Sequence, residues 1–252
     1  MSEAVETLEG WWVLHDFRRV DWPRWHAASA AQRAALLSGW QTLCRELSGG
    51  PLEQAGDSAV YTVLGHKADL LFLHFRPRLE DLLAAQMAVN LDPGRPFLVP
   101  ATSYVSVIEL SGYLAKPGTG PLPPEVQRRL YPAIPPHRYV CFYPMNKRRQ
   151  GADNWYMLSR EERARLMAGH GQIGRRYAGQ VVQIITGSQG LDDWEWGVTL
   201  FADDPLVFKK LVYEMRFDET SARYAEFGSF LVGTRLEPDD WPRWLNTATG
   251  DG

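Results

Sequence analysis

Leu36-Leu-Ser-Gly-Trp-Gln-Thr-Leu-Cys-Arg-Glu-Leu47 and Leu166-Met-Ala-Gly-His-Gly-Gln-Ile-Gly-Arg-Arg-Tyr177 read as one helix written twice. In the first, Leu36, Trp40, Leu43 and Leu47 fall on one helical face. In the second, Leu166, His170, Ile173 and Tyr177 do so at the same spacing. Outward from the first helix, Trp11 to Phe17 reads as a strand before it. Ser58 to Leu64 and Asp69 to Phe75 read as strands after it, separated by Gly65-His66-Lys67. Pro77 then opens a helix carrying Leu79, Leu82 and Leu83, and Ser103 to Leu114 reads as a strand.

The second copy keeps that order. Arg138 to Met145 is a strand, Ser159 with Glu162 forms a capping box, and Gly179 ends the helix. Gln180 to Ile185 and Glu195 to Phe201 are strands. Asp204-Pro205 starts a helix with Leu206, Leu211, Val212 and Met215, and Phe227 to Val232 is the last strand. Each copy is β-α-β-β-α-β, which predicts an α+β protein of two ferredoxin-like halves, able to stack as a dimeric α/β-barrel type. The expected division is an N-terminal half over 1–115, a Pro- and Gly-rich linker over 116–136, a C-terminal half over 137–235 and a tail over 236–252.

The formal net charge is -3, from 27 basic and 30 acidic residues, so the surface as a whole offers no steering toward nucleic acid or a membrane. Cys44 and Cys141 lack metal spacing and fit two buried thiols in a reducing compartment. Glu3 and Glu6 stand where a basic-then-apolar leader would begin, and no apolar run approaches a bilayer span. The expectation is a cytoplasmic protein whose partner is a small molecule.

Where the copies differ, Trp40 is matched by His170. A histidine on an apolar helix face is often a hydrogen-bonded core residue. Gly171 and Gly174 beside it would let something bulky approach, Gln183 on the next strand reaches the same space, and a neutral imidazole on an apolar wall suits a haem iron. Both readings stand on the residues alone. In Tyr143-Pro-Met-Asn-Lys147, strand alternation puts Tyr143, Met145 and Lys147 on one face, while Arg148 and Arg149 read as a solvated loop. Arg216, near Asp218, Glu219, Ser221 and Arg223, suits a helix C-terminus and could equally clamp a carboxylate, as could Arg128 and Arg129. The other histidines show no zinc or di-iron spacing, and no phosphate loop or nucleophile elbow occurs.

Five blocks in order carry a family resemblance. They are Tyr143-Pro-Met-Asn-Lys-Arg148; Asn154-Trp-Tyr-Met-Leu158; Leu166 to Gly179; Asp193-Trp-Glu-Trp-Gly-Val-Thr-Leu-Phe201; and Tyr213-Glu-Met-Arg-Phe-Asp-Glu219 with Ser221 to Gly228. Together they resemble the chlorite dismutase-like superfamily, and within it the coproheme decarboxylase branch of haem biosynthesis. The resemblance spans about Ala4 to Gly233 and is looser in the first half. It implies paired ferredoxin-like units in a homopentamer and an iron ligand at His170. It implies a redox-active tyrosine at Tyr143, an assisting lysine at Lys147, porphyrin-edge contact from Met145, and propionate contacts from Tyr113, Arg129, Arg216 and Ser221. The substrate implied is Fe-coproporphyrin III (coproheme), converted to haem b with hydrogen peroxide through a three-propionate intermediate, with a ferrochelatase as possible donor. Gln183 stands where chlorite dismutases place an arginine, which points away from chlorite chemistry. A chlorite dismutase and a haem-binding carrier or sensor of the same fold remain the alternatives.

Overall fold

A computed structural model describes residues 4–48, 56–112 and 121–245. In chain order the elements begin β1 (Thr7–Val20), α1 (Trp22–Ala27), α2 (Ala30–Ser48), β2 (Asp57–Val63), β3 (Leu70–Arg76), α3 (Leu79–Leu91) and β4 (Leu98–Ser111). They continue α4 (Pro124–Leu130), β5 (Tyr139–Lys147), β6 (Arg149–Gln150), β7 (Asp153–Asn154), α5 (Arg160–Arg176), β8 (Val182–Gly187) and β9 (Trp196–Ala202). The chain closes with α6 (Leu206–Met215), α7 (Glu219–Tyr224), β10 (Ala225–Phe227), β11 (Leu231–Arg235) and α8 (Trp241–Trp244). The runs β1-α2-β2-β3-α3-β4 and β5-α5-β8-β9-α6-β11 are the two ferredoxin-like halves of an α+β fold.

Two compact units form. One comprises Trp11 to Val105 with the segment from Gly233 onward; the other comprises Ser106 to Val232 with the segment up to Gly10. The strands β1, β4 and β11 run from one unit into the other.

In the first unit, β3 lies antiparallel between β1 and β2, with Leu14 opposite His74 and His74 opposite Ser58. Every residue of β3 is buried, as expected of a strand covered on both faces. Its helices close a tryptophan-rich core in which Trp25, Trp40, Leu43, Val60, Phe72, Val89 and Trp241 pack together. Trp40 stacks on Trp25 at 5.8 Å and meets Trp241 at 5.3 Å.

In the second unit, β9 lies between β8 and β5, both antiparallel to it. The register sets Leu200 of β9 between Cys141 and Gln183, Val198 between Tyr143 and Ile185, and Trp196 between Met145 and Gly187. Directly opposed side chains share a face, so these residues form one surface. Cys141, Tyr143, Val198 and Leu200 pack with Val207, Phe208 and Leu211 of α6.

Three features depart from the sequence reading. The expected last strand, Phe227 to Val232, is two strands, β10 and β11, paired with β5 and β2 respectively. Arg149 belongs to the small β6–β7 hairpin, so the basic run is not merely a solvated loop. The described part of the linker holds α4, whose Leu130 is buried and whose carbonyl presses on Gly10, where a side chain would not fit. Residues 116–120 of that linker and 246–252 of the tail lie outside the described residues.

Candidate functional site

α5 begins as expected: the Ser159 hydroxyl accepts the Glu162 N–H, and Glu161 and Glu162 complement the dipole of its first turn. Its buried face is carried by Arg163 and Leu166, and Leu166 packs with Trp155 and Tyr224. One turn on, the His170 side chain keeps 28% of its surface exposed. It is not sealed in an aliphatic core.

α7 fixes that ring. The Thr220 hydroxyl donates to the Leu166 carbonyl at 3.0 Å, tying α7 to α5. Asp218 caps α7 by accepting the Ser221 N–H at 3.2 Å, and its Oδ2 lies 2.8 Å from His170 Nδ1. Burial pushes the Asp218 carboxyl upward, but the His170 hydrogen bond and the Ser221 and Thr220 amides outweigh it and hold the group below the usual carboxylate range. An ionised carboxylate only accepts, so Nδ1 donates and Nε2 is left as the basic nitrogen. That is the arrangement in which a histidine binds a metal with its tautomer set by a carboxylate behind it.

Around His170 the helix is bare. A side chain added at Gly169 would meet nothing within 4 Å; at Gly171 it would meet only the Arg175 guanidinium at 3.5 Å, and at Gly174 only the Met215 methyl at 3.6 Å. The protein's own packing therefore does not demand these glycines. A planar group ligated by Nε2 fits both the donor set and this uncrowded helix face.

Tyr143 is buried, its ring stacked on Phe230 at 4.4 Å and tilted against Phe227 at 5.8 Å. Burial pushes its phenol far above the ordinary range, Cys141 adds to the effect, and Arg216 opposes it. Arg216 lies at the C-terminal end of α6 with its guanidinium 3.6 Å from the centre of the Phe227 ring. Lys147 ends β5 with its ammonium 4.3 Å from the centre of the Trp155 ring. Burial lowers its pKa to about 8, against the pull of Asp218 and Glu195. Glu195 also accepts the Lys147 N–H at 2.8 Å, which pins this strand end.

The structure thus gathers Tyr143 with Arg216, and Lys147 and His170 with Asp218, within one unit. Met145 and Gln183 lie on the same sheet face as Tyr143, with Gln183 exposed. Ser221 is turned to Asp218, with its hydroxyl 3.5 Å from Oδ2, which makes it part of the histidine's support. Arg129 is exposed on α4 with no ion pair among the described residues. Tyr113 lies outside the described residues. The sequence reading gave no individual role to Asp218, Trp155, Glu195 or Phe230. Only the first left a signal: Asp218 three residues before Ser221 reads as a helix cap, and a capping carboxylate has a second oxygen to offer.

A further acid joins this sheet face. Glu109 of β4 accepts the Trp196 indole N–H at 2.9 Å, and its carboxylate lies directly over Gly187. Burial raises its pKa, the Trp196 bond opposes, and Glu9 adds to the rise.

Comparison with known proteins gives two results. The family model described as chlorite dismutase matches residues 26–236. Among solved structures, a heme-binding protein from Thermus thermophilus is 50% identical over 98% of this chain and 99% of its own, with a TM-score of 0.92. A variant of chlorite dismutase from Candidatus Nitrospira defluvii and an imidazole complex of that enzyme are 21% and 20% identical, with TM-scores of 0.75 and 0.73. Each covers 94% of this chain and 95% of its own, a likeness of fold.

Proposed function

The chain belongs to the chlorite dismutase family, and from that premise we propose that it binds Fe-coproporphyrin III through His170 and removes carboxyl groups from two propionates with hydrogen peroxide, giving haem b. The observation that carries this reading is the His170–Asp218 pair at 2.8 Å on a helix face left open by glycines. The haem binding of the Thermus thermophilus protein, 50% identical, supports it.

When bound, the iron supplies the two-electron reaction with peroxide; the protein supplies position, charge and one oxidisable phenol. Asp218 keeps His170 Nδ1 protonated and Nε2 basic. Tyr143 is the phenol from which a hydrogen atom is lost and which then takes one from a propionate side chain. Each propionate is converted to a vinyl group and carbon dioxide; peroxide becomes two waters, and one proton is consumed. Lys147 holds a proton at Nζ at neutral pH and orients the reacting carboxylate. Arg216, and in this reading Arg129, Tyr113 and Ser221, serve the propionates, Met145 the ring edge, and the uncharged Gln183 amide the peroxide. A homopentamer, a cytoplasmic location and transient hand-over from a ferrochelatase belong to the same reading. Among the described residues no helix is long and apolar enough to cross a membrane.

The test is to load the protein with iron coproporphyrin III, titrate peroxide and follow products by mass. Two successive losses of a carboxyl group, with a three-propionate species between them, are expected. Tyr143→Phe should bind the porphyrin and stop before the first loss; unchanged turnover in that variant would remove the tyrosine from the mechanism. One observation favours a second reading: Tyr143 is only 8% exposed and stacked on Phe230, as a core residue would be. A haem carrier would then show the absorption shift of a ligated iron with no loss of mass on adding peroxide. The chlorite dismutase alternative predicts dioxygen from chlorite, which a neutral Gln183 disfavours.

A further inference from the structure

The sheet face that carries Tyr143, Met145 and Gln183 ends on an acid. Trp196 of β9 stands between Met145 of β5 and Gly187 of β8, and Val107 of β4 stands opposite Gly187. Val107 and Glu109, two apart on β4, share that face. From there Glu109 leans across β8. Its Oε1 accepts the Trp196 indole N–H at 2.9 Å, and its Oε2 occupies the space that a side chain at 187 would need. A glycine within a strand here marks the close approach of another group, and that group is a carboxyl.

The acid is seated without a counter-charge. Glu109 has no ion pair among the described residues, and Oε2 has no hydrogen-bond partner among them. The charge acting on it is Glu9 of β1, of the same sign. The cations of the site, Lys147 and Arg216, lie over the Trp155 and Phe227 rings instead. A carboxyl group kept from cations holds its proton more readily, and the protonated form donates a hydrogen bond. A second carboxylate suits such a donor, because one proton shared between two carboxyl groups serves both.

Neighbouring strands lie about 4.8 Å apart, which puts Gly187 roughly 10 Å across the sheet from Met145. A tetrapyrrole with one edge at Met145 therefore lays its opposite edge beside Glu109. We infer that Glu109 binds one propionate of the porphyrin as a protonated acid, donating through Oε2 while Trp196 holds Oε1. This inference rests on the porphyrin reading above.

Spectroscopic titration of the full chain with iron coproporphyrin III, between about pH 5.5 and 7, tests it. That window lies below the Lys147 pKa of about 8. Binding should take up one proton at Glu109, so wild-type affinity should fall as pH rises, by up to about tenfold per pH unit. Glu109→Gln keeps a donor that does not titrate, so its slope should be shallower by that one proton. Glu109→Ala removes the donor and should bind about 10-fold more weakly at the acid end. Glu109→Gln also keeps an acceptor for Trp196, so the test does not depend on the alanine variant folding. Equal slopes in wild type and Glu109→Gln, or an alanine variant that binds as tightly as wild type, would overturn this inference and leave the porphyrin reading standing. A wild type that binds no porphyrin at any pH would overturn both.

Discussion

The same helical position holds Trp40 in one unit and His170 in the other, and the surroundings of the two differ more than the residues do. Trp40 is 1% exposed, stacked on Trp25 and met by Trp241 from the C-terminal segment. His170 stays part open, held by a single carboxylate. One unit has filled the position and uses it for stability. The other leaves it unfilled and carries the residues that suit chemistry. A repeated fold thereby separates two demands that conflict within one core: close packing, and a polar group left with an unused nitrogen.

The contrast can be broken at its strong end first. Trp40→Ala should lower stability by about 3–5 kcal/mol in denaturant unfolding, since neighbouring rings cannot collapse into so large a space. A loss under ~1 kcal/mol would mean that the stack is not the anchor of its unit.

Acid should strike the same unit. Burial lowers His15 and His74 to about 3, with Arg76 and Arg18 adding to the effect at His74. The unfolded chain binds protons at both near pH 6.5, so between roughly 6.5 and 3 it holds more protons than the folded one. Stability should therefore fall as pH falls across that window, by about 1.4 kcal/mol per pH unit per histidine. His74→Gln should remove roughly half of that slope, measured as the unfolding midpoint against pH.

At the open position the effects shift from fold to ligand. Asp218→Asn should weaken porphyrin-iron binding by about 10–100-fold in a spectroscopic titration, by letting the imidazole turn and lose basicity. Unaltered affinity would show that Asp218 serves only as the α7 cap. Lys147, with a pKa of about 8, is protonated below that pH, so the first carboxyl loss should slow as pH rises through it. Lys147→Met should abolish that limb of the profile. The smallest effect on the fold should come from His170→Ala, within about 1 kcal/mol of wild type, although ligation is lost. A large destabilisation would make His170 a core residue after all.

Much of the scaffold could be read beforehand because it rests on local periodicity. The Ser159 cap, both helix stripes, the Gly65 turn and the alternation of Tyr143, Met145 and Lys147 are properties of neighbouring residues. The misread segments lack that support. Phe227 to Val232 looks like one strand, yet it is broken in two: β10 pairs with β5, and a separate strand, β11, pairs with β2 through Gly233. The linker's prolines hid α4 because a proline in the first turn favours a helix as readily as it ends one.

The spacing of apolar residues, together with the caps and turns, determined two βαββαβ halves and the substitution of a histidine for a tryptophan between them. What surrounds each of those side chains was decided only in three dimensions. Trp241 reaches Trp40 across 201 positions of sequence, and Asp218 reaches His170 across 48. The physical reason is range: a helix face is set by residues three and four apart, whereas a carboxylate behind an imidazole depends on how α7 is hooked onto α5, a contact that no local pattern encodes.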